Sequence, residues 1–131
     1  MVFCTGQIYY DLAQAREDRK AANIAILRIE QLYPFPASEV EDALSAYPPD
    51  AKVVWVQEEP KNMGAWRTVQ DFMTPLLEPT QRALTYIGRL ESASPAAGSL
   101  KRHQQEQAEI VEGVFAPVTS PGTHGLQLVA R

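Results

Sequence analysis

The clearest hydrophobic pattern in this chain is the apolar run at residues 53–56 (VVWV), which passes directly into the polar stretch 57–59 (QEE). A continuous apolar run bounded by turn residues is typical of a strand buried on both faces, as in a parallel sheet. The loop after such a strand lies at the carboxyl edge of the sheet, where open α/β folds place ligands or partner surfaces. The segment therefore predicts both a fold class and a candidate functional edge.

Strand and helix patterns alternate along the rest of the chain. The predicted strands span residues 2–4, 23–28, 52–57 and 84–88. The predicted helices span residues 8–20, 39–46, 65–77 and 100–115. Four strand–helix units in a row predict a mostly parallel, doubly wound sheet with helices on both faces, a three-layer α/β/α fold. In that order the first strand lies between the second and the third, and a crevice opens between residues 4–6 and residues 57–59.

Capping residues set the predicted helix boundaries. Ser38, with Glu41 three residues later, predicts a capping box at the second helix. Ser99 predicts a side-chain cap for the last helix. Pro75 predicts a break near the end of the third helix, because proline lacks the backbone N–H.

Composition and charge exclude several classes of function. The chain has 131 residues, enough for one domain with its own core, and a net charge of −4. That charge disfavours general binding to nucleic acid, and no stretch approaches the roughly 20 apolar residues of a membrane span. Cys4 is the single cysteine, which excludes an internal disulfide and favours a buried, inert thiol. His103 and His124 lack neighbours at metal-ligand spacing, so no zinc site is predicted.

Two polar loops follow the third and fourth strands and hold the candidate functional residues. Glu58 and Glu59 are adjacent carboxylates, which usually diverge in direction, so a catalytic pair is disfavoured. Three alternatives remain: a solvated loop, a pairing with Lys61, Arg67 or Arg89, and an interface that meets a partner's basic group. Residues 62–66 (NMGAW) look like the start of a helix, with Asn62 as a cap, Gly64 for close backbone approach and Trp66 in the core or at a subunit interface.

The loop at residues 91–99 (ESASPAAGS) is rich in small residues and precedes a helix. It predicts either an anion site, with Ser92, Ser94, Ser99 and Arg89, or a loop packed closely against another surface. Thr5-Gly6 is not a phosphate loop by this pattern, because the Rossmann and Walker glycine patterns are both absent.

Four segments in order resemble one enzyme family. They are residues 4–12 (CTGQIYYDL), 28–36 (RIEQLYPFP), 57–66 (QEEPKNMGAW) and 88–98 (GRLESASPAAG). Together they resemble the C-terminal domain of the thiamine-diphosphate-dependent first component of 2-oxoglutarate dehydrogenase. The resemblance covers about residues 2–115 and implies a transketolase C-terminal-like domain at residues 1–115. Residues 116–131 have no counterpart and are predicted to be a flexible tail.

The resemblance implies that this domain does no chemistry alone. The family's full-length enzyme decarboxylates 2-oxoglutarate on thiamine diphosphate in the tricarboxylic acid cycle and passes the succinyl group to a lipoyl group of the second component. Upstream domains hold the cofactor and its magnesium, and no catalytic, cofactor-binding or metal-binding residue is carried over to this chain. The domain would instead help to form the homodimer, with its contact residues in the two polar loops: Glu58, Glu59, Asn62, Gly64, Trp66, Arg89, Ser92 and Ser94.

Further expectations follow from the same resemblance. The family's sheet has a fifth, antiparallel strand, which would lie upstream of this chain and leave an open sheet edge. Some relatives are activated by acetyl-CoA or a nucleotide, which suggests Gln31 and Ser38 as an anion site, although Ala37 and Glu39 disfavour a phosphate there. The expected location is the cytoplasm, or the mitochondrial matrix in a eukaryote. The alternative is an independent flavodoxin-like module whose crevice takes a small anionic ligand. Preference between 2-oxoglutarate and 2-oxoadipate is left open.

Overall fold

A computed structural model describes residues 1–117 of the chain. Its strands are β1 (Val2–Cys4), β2 (Ile26–Arg28), β3 (Val53–Pro60) and β4 (Leu84–Arg89). Its helices are α1 (Ile8–Arg19), α2 (Ala37–Ala46), α3 (Trp66–Leu77) and α4 (Leu100–Phe115), and a single 3₁₀ turn spans Glu78–Thr80. The predicted alternation of strands and helices is confirmed. Most of the predicted tail, with His124, lies outside the described residues.

The four strands form one parallel sheet in the order β2-β1-β3-β4. Val2 of β1 is opposite Ile26 of β2 on one side and Val54 of β3 on the other. The predicted order, with β1 between β2 and β3, is therefore confirmed. The antiparallel fifth strand stays a prediction about sequence outside these residues.

Alternating side chains of the strands divide the core between the two faces of the sheet. Phe3 and Trp55 pack on the side of α2 and α3, together with Val40 and Val69. The neighbouring strand residues Cys4 and Val56 pack on the opposite side, against α1 and α4. Ile8, Leu12 and Ile110 complete this second half of the core. Because both faces of the sheet are covered by helices, the architecture is the predicted three-layer α/β/α fold.

Cys4 is buried in this second half of the core. Burial raises the pKa of its thiol to about 11, although the positive charge of Arg28 partly opposes the shift. The predicted burial of Cys4 is confirmed, and a protonated, inaccessible thiol is expected to be unreactive.

Three local predictions differ from the structure. Strand β3 continues to Pro60, so Glu58 and Glu59 lie in the strand, with an irregular pairing to β4 between Val56 and Pro60. Helix α2 begins at Ala37 without a side-chain cap, so the capping box at Ser38 is wrong. Helix α3 runs through Pro75 without a break, since buried residues on either side of the proline hold the last turn against the core. The cap at Ser99 is confirmed, with its hydroxyl accepting a bond from the backbone N–H of Arg102 at 3.2 Å.

Arg82, just before β4, fixes the C-terminal end of α2. Its guanidinium donates to the backbone oxygens of Leu44 (2.8 Å), Tyr47 (3.0 Å), Pro48 (2.7 Å) and Pro49 (3.1 Å). The last carbonyls of a helix lack intrahelical partners and carry partial negative charge. One cation from a distant segment therefore satisfies the end of α2.

None of the helices in residues 1–117 is long and apolar enough to cross a membrane.

Candidate functional site

The loop after β3 is held by hydrogen bonds to the buried side-chain amide of Gln57. Gln57 is only 1% exposed, and its side-chain oxygen accepts a bond from the indole N–H of Trp55 at 3.0 Å. Its amide nitrogen contacts the backbone oxygens of Met63 (2.8 Å), Pro60 (3.1 Å) and Glu59 (3.2 Å). These bonds fold the loop back over the end of the strand, so a single buried side chain determines its path.

Gly64 makes that folding possible. Its φ of +65° lies in the left-handed region, which strains any residue with a Cβ. A Cβ at this position would also lie 3.0 Å from the Cβ of Glu59 and 3.1 Å from the amide nitrogen of Gln57. The structure therefore confirms the prediction that neighbouring groups approach the backbone of Gly64 closely.

Trp66 lies beneath this loop and not on the surface. It is 4% exposed and packs against Tyr86, with ring centroids 5.0 Å apart. The hydroxyl of Tyr86 donates to the backbone oxygen of Arg89 at 3.0 Å, and burial raises the pKa of this phenol above its ordinary value. Of the two alternatives for Trp66, core or subunit interface, the structure has the core one, which argues against its place among the contact residues.

The loops after β3 and β4 are joined by a reciprocal pair of hydrogen bonds. The side-chain amide of Asn62 donates to the backbone oxygen of Ser92, and its carbonyl oxygen accepts from the backbone N–H of Ser92, each at 3.0 Å. Asn62 therefore holds the second loop and does not cap α3, which has no side-chain cap. We call residues 61–65 and 90–100 together the paired-loop surface.

Arg89 fixes the other side of the paired-loop surface. Its Nε lies 2.7 Å from a carboxylate oxygen of Glu106 on α4, and its Nη1 donates to the backbone oxygen of Pro95 at 2.9 Å. The Arg89 and Glu106 side chains are 12% and 19% exposed, so this pair is shielded from most solvent. The alternative in which Arg89 pairs with Glu58 or Glu59 is not what the structure has, because Glu106 takes that place.

The hydroxyls of Ser92 and Ser94 in the second loop form hydrogen bonds within that loop. The hydroxyl of Ser92 accepts from the backbone N–H of Ser94 at 3.2 Å, and the hydroxyl of Ser94 donates to the backbone oxygen of Ala96 at 3.0 Å. Ser99 caps α4, and Arg89 is bound to Glu106. These polar groups are engaged in local bonds, which disfavours the anion site, and the alternative of a loop packed closely against another surface stays a prediction. Leu90 and Leu100, one at each end, are strongly exposed.

The crevice between β1 and β3 is acidic and bridged by α4. The side-chain amide nitrogen of Gln107 lies 2.7 Å from a carboxylate oxygen of Asp11 and 3.0 Å from one of Glu58. Two carboxylates at this edge repel an anion, and the Gln107 amide bridges them. The crevice therefore does not favour the alternative of a module for small anionic ligands.

The remaining predicted residues stand apart from the paired-loop surface. The amide of Gln31 donates to the backbone oxygen of Pro34 at 3.4 Å, and the hydroxyl of Ser38 donates to Glu39 at 2.9 Å. The carboxylate of Glu39 beside Ser38 does not suit an anion. His103 lines a shallow depression with Asp11 and Gln107. Across residues 1–117, no three His, Cys, Asp or Glu side chains cluster closely enough to hold a metal ion.

Sequence reasoning missed three of the residues that shape this edge: Gln57, Tyr86 and Glu106. The sequence does contain an indication of a buried role for Gln57, because this polar residue directly continues a buried apolar strand. Glycine at position 88 indicates that another group approaches the backbone there, and in the structure that group is the ring of Tyr86. A Cβ at position 88 would meet this ring and would lie 2.9 Å from the backbone oxygen of Gln57. Nothing in the local pattern distinguishes Glu106 from the other polar residues of α4.

Comparison with known proteins identifies a family that covers the paired-loop surface and the rest of residues 1–115. Residues 1–115 match the family described as 2-oxoglutarate dehydrogenase C-terminal. The 2-oxoglutarate dehydrogenase E1 component of Cupriavidus necator is 42% identical over 116 residues, which are 88% of this chain and 12% of that protein. The mitochondrial 2-oxoglutarate dehydrogenase of Caenorhabditis briggsae is 47% identical over 116 residues, 88% of this chain and 11% of that protein. The E1 component of Exiguobacterium is 44% identical over 128 residues, 93% of this chain and 13% of that protein. The chain thus spans about an eighth of the length of these relatives.

Proposed function

The chain belongs to the 2-oxoglutarate dehydrogenase C-terminal family, and from that membership we propose that it serves as the C-terminal domain of a first component that decarboxylates 2-oxoglutarate. The family match carries the proposal, and the paired-loop surface supports it in the structure. Its reciprocal Asn62–Ser92 bonds and its Arg89–Glu106 pair fix an exposed surface at the carboxyl edge. A fixed surface of this kind suits contact with other parts of an enzyme, because little conformational entropy is lost on binding.

The chemistry itself belongs, on this proposal, to parts of the enzyme outside this chain. Thiamine diphosphate would supply the carbanion stabilisation that decarboxylation needs, and its diphosphate is normally bound with magnesium. Two observations in residues 1–117 support this division: Asp11 and Glu58 would repel a bare diphosphate, and no third carboxylate, histidine or cysteine clusters with them to hold its magnesium. Residues 1–117 therefore contribute structure, and the isolated chain is expected to have no decarboxylase activity.

The contacts of the paired-loop surface follow from its composition. Exposed Leu90 and Leu100 lie at the two ends of a loop of small residues, which permits close approach of another backbone. We assign this surface to contact with the upstream domains of the enzyme or with the second subunit of a homodimer. The lipoyl-bearing second component is a partner of the assembled enzyme. The compartment proposed is the cytoplasm, or the mitochondrial matrix in a eukaryote, as the kinds of relative suggest.

A graft into a relative tests the proposal. Residues 1–117 would replace the matching C-terminal stretch of the Cupriavidus necator relative, with the truncated relative as the negative control. Carbon dioxide release from 2-oxoglutarate, with thiamine diphosphate and magnesium, is expected from the graft and from neither the truncated relative nor the 131-residue chain. A folded graft that is as inactive as the truncated relative would contradict the proposal, as would turnover by the isolated chain. Preference for 2-oxoglutarate over 2-oxoadipate should stay that of the relative.

A further inference from the structure

Residues 90–98, which we call the strap, join two fixed ends. At one end, the backbone oxygen of Arg89 accepts a bond from the backbone N–H of Lys61 at 3.1 Å. At the other end, the hydroxyl of Ser99 caps α4, and its backbone oxygen accepts a bond from the N–H of His103 at 3.0 Å. The two ends of the strap therefore belong to the strand and the helix that it connects.

The middle of the strap has no anchor in the core. None of residues 90–98 is buried, and only Ser92 and Ala97 are half-buried. Among residues 1–117, neither half of the core includes a side chain of the strap. Buried apolar contacts are what make a segment open only together with the rest of a protein. Since the strap lacks them, its closed position depends on hydrogen bonds.

Three hydrogen bonds tie the strap to the rest of residues 1–117, and Asn62 makes two of them. These are the reciprocal bonds of Asn62 with the backbone of Ser92, each at 3.0 Å. The third runs from the Arg89 guanidinium to the backbone oxygen of Pro95 at 2.9 Å. Asn62 is itself held in place, because the buried amide of Gln57 folds the loop that carries it. A rigid loop thus presents one side chain that holds the strap.

We propose that the strap opens and closes as one unit while β4 and α4 stay folded, and that Asn62 is the residue that holds it closed. Opening exchanges exposed hydrogen bonds for bonds to water and uncovers no core, so it costs far less than unfolding. Gly98, where a Cβ would have no neighbour within 4 Å, leaves the backbone beside Ser99 free to turn.

The two internal bonds of the strap support movement as a unit. The hydroxyl of Ser92 accepts from the N–H of Ser94, and the hydroxyl of Ser94 donates to the oxygen of Ala96. Both bonds lie inside the strap, so they can be kept when it moves away from Asn62. On the proposed function, a partner that contacts the paired-loop surface would select the closed strap, and its affinity would fall with the closed fraction. Only this consequence rests on the proposed function.

Hydrogen exchange and proteolysis of the 131-residue chain test the proposal. Exchange of the Ser92 amide should not depend on low urea concentrations, whereas that of Val69, a buried residue bonded to Ala65 in α3, should rise with urea. Thermolysin should cleave within the strap under native conditions. Asn62→Ala removes two exposed bonds and should speed this cleavage about tenfold. Asn62→Asp, which keeps only the acceptor, should have a smaller effect in the same direction.

The matched control is Asn23→Ala, at the amino edge of the sheet, which should leave cleavage within the strap unchanged. Faster Ser92 exchange in Asn62→Ala without faster cleavage would mean that a single bond frays, which would overturn the proposal. Ser92 exchange that rises with urea in parallel with Val69 would overturn it as well, because the strap would then open only with the whole molecule. Each of these results is obtained on the chain alone, so failure here leaves the proposed function, which the graft tests, standing.

Discussion

The two loops of the paired-loop surface are held by different kinds of contact. The loop at residues 61–65 is tied from beneath by Gln57, a neutral amide that is almost fully buried. The loop at residues 90–99 is held from the side, by the Arg89–Glu106 pair and by bonds of Asn62 that are exposed to solvent. A buried contact is costly to break because its groups lose water as well as their partner, whereas an exposed contact exchanges its partner for water. One loop should therefore behave as part of the core and the other as a tethered surface.

The largest expected effect is on the buried amide. Gln57→Met keeps the size of the side chain but leaves the indole of Trp55 and the backbone oxygen of Met63 without their bonds. Since each buried group left unpaired costs about 1–3 kcal/mol, the free energy of unfolding should fall by about 3 kcal/mol. Urea denaturation measures it. Gln104→Met, on the exposed face of α4, is the matched control and should change stability by less than about 0.5 kcal/mol. Equal effects of the two variants would remove the distinction between the loops.

The next effect separates backbone strain from crowding. Gly64 and Gly6 both have positive φ, +65° and +74°, but only Gly64 has neighbours within 4 Å of a new Cβ. Alanine at either position should cost about 1 kcal/mol for the backbone. Gly64→Ala should cost about 1–2 kcal/mol more, because Glu59 and Gln57 must move. Thermal unfolding of the two variants gives the difference directly, and equal melting temperatures would argue against a tightly packed first loop.

The smallest effect is expected at the second loop. Arg89→Met removes the bonds to Glu106 and Pro95 while it keeps an unbranched side chain. Because the Glu106 carboxylate keeps Arg102 as a partner, we expect a loss of only about 1 kcal/mol, and a somewhat smaller loss as salt is added. Chemical denaturation with urea at low and high sodium chloride measures both. A loss that does not depend on salt, and is as large as that of Gln57→Met, would place this loop in the core as well.

The elements that could be predicted from the sequence are those with a local cause. The apolar run at residues 53–56 predicts a buried strand, because a strand covered on both faces, as in a parallel sheet, accepts such a run. Ser99 predicts its cap, because the hydroxyl and the N–H that it serves are three residues apart. The order of the strands follows from the alternation of elements and the handedness of crossovers.

The features that could not be predicted depend on partners far along the chain. Asn62 is a favourable cap by residue type, yet its amide bonds Ser92, 30 residues away. Ser38 has the residue pattern of a capping box, yet α2 begins at Ala37, two residues earlier than predicted, and the hydroxyl bonds Glu39. Trp66 fits either a surface or a core, and only the position of Tyr86 on β4 decides between them. In each case a tertiary contact outweighs a local preference.

The hydrogen bonds of Arg82 affect how the molecule unfolds locally. Its four bonds join the end of α2 to the segment that leads into β4, across 33 to 38 residues of chain. The Leu44 oxygen belongs to the last turn of α2 and the other three acceptors lie just after it, so opening that turn together with residues 47–49 would strip the guanidinium of these acceptors. Amide hydrogens in that turn should exchange with solvent only when the N-terminal part of β4 opens too. The two segments then form one cooperative unfolding unit, although strand β3 lies between them in the chain.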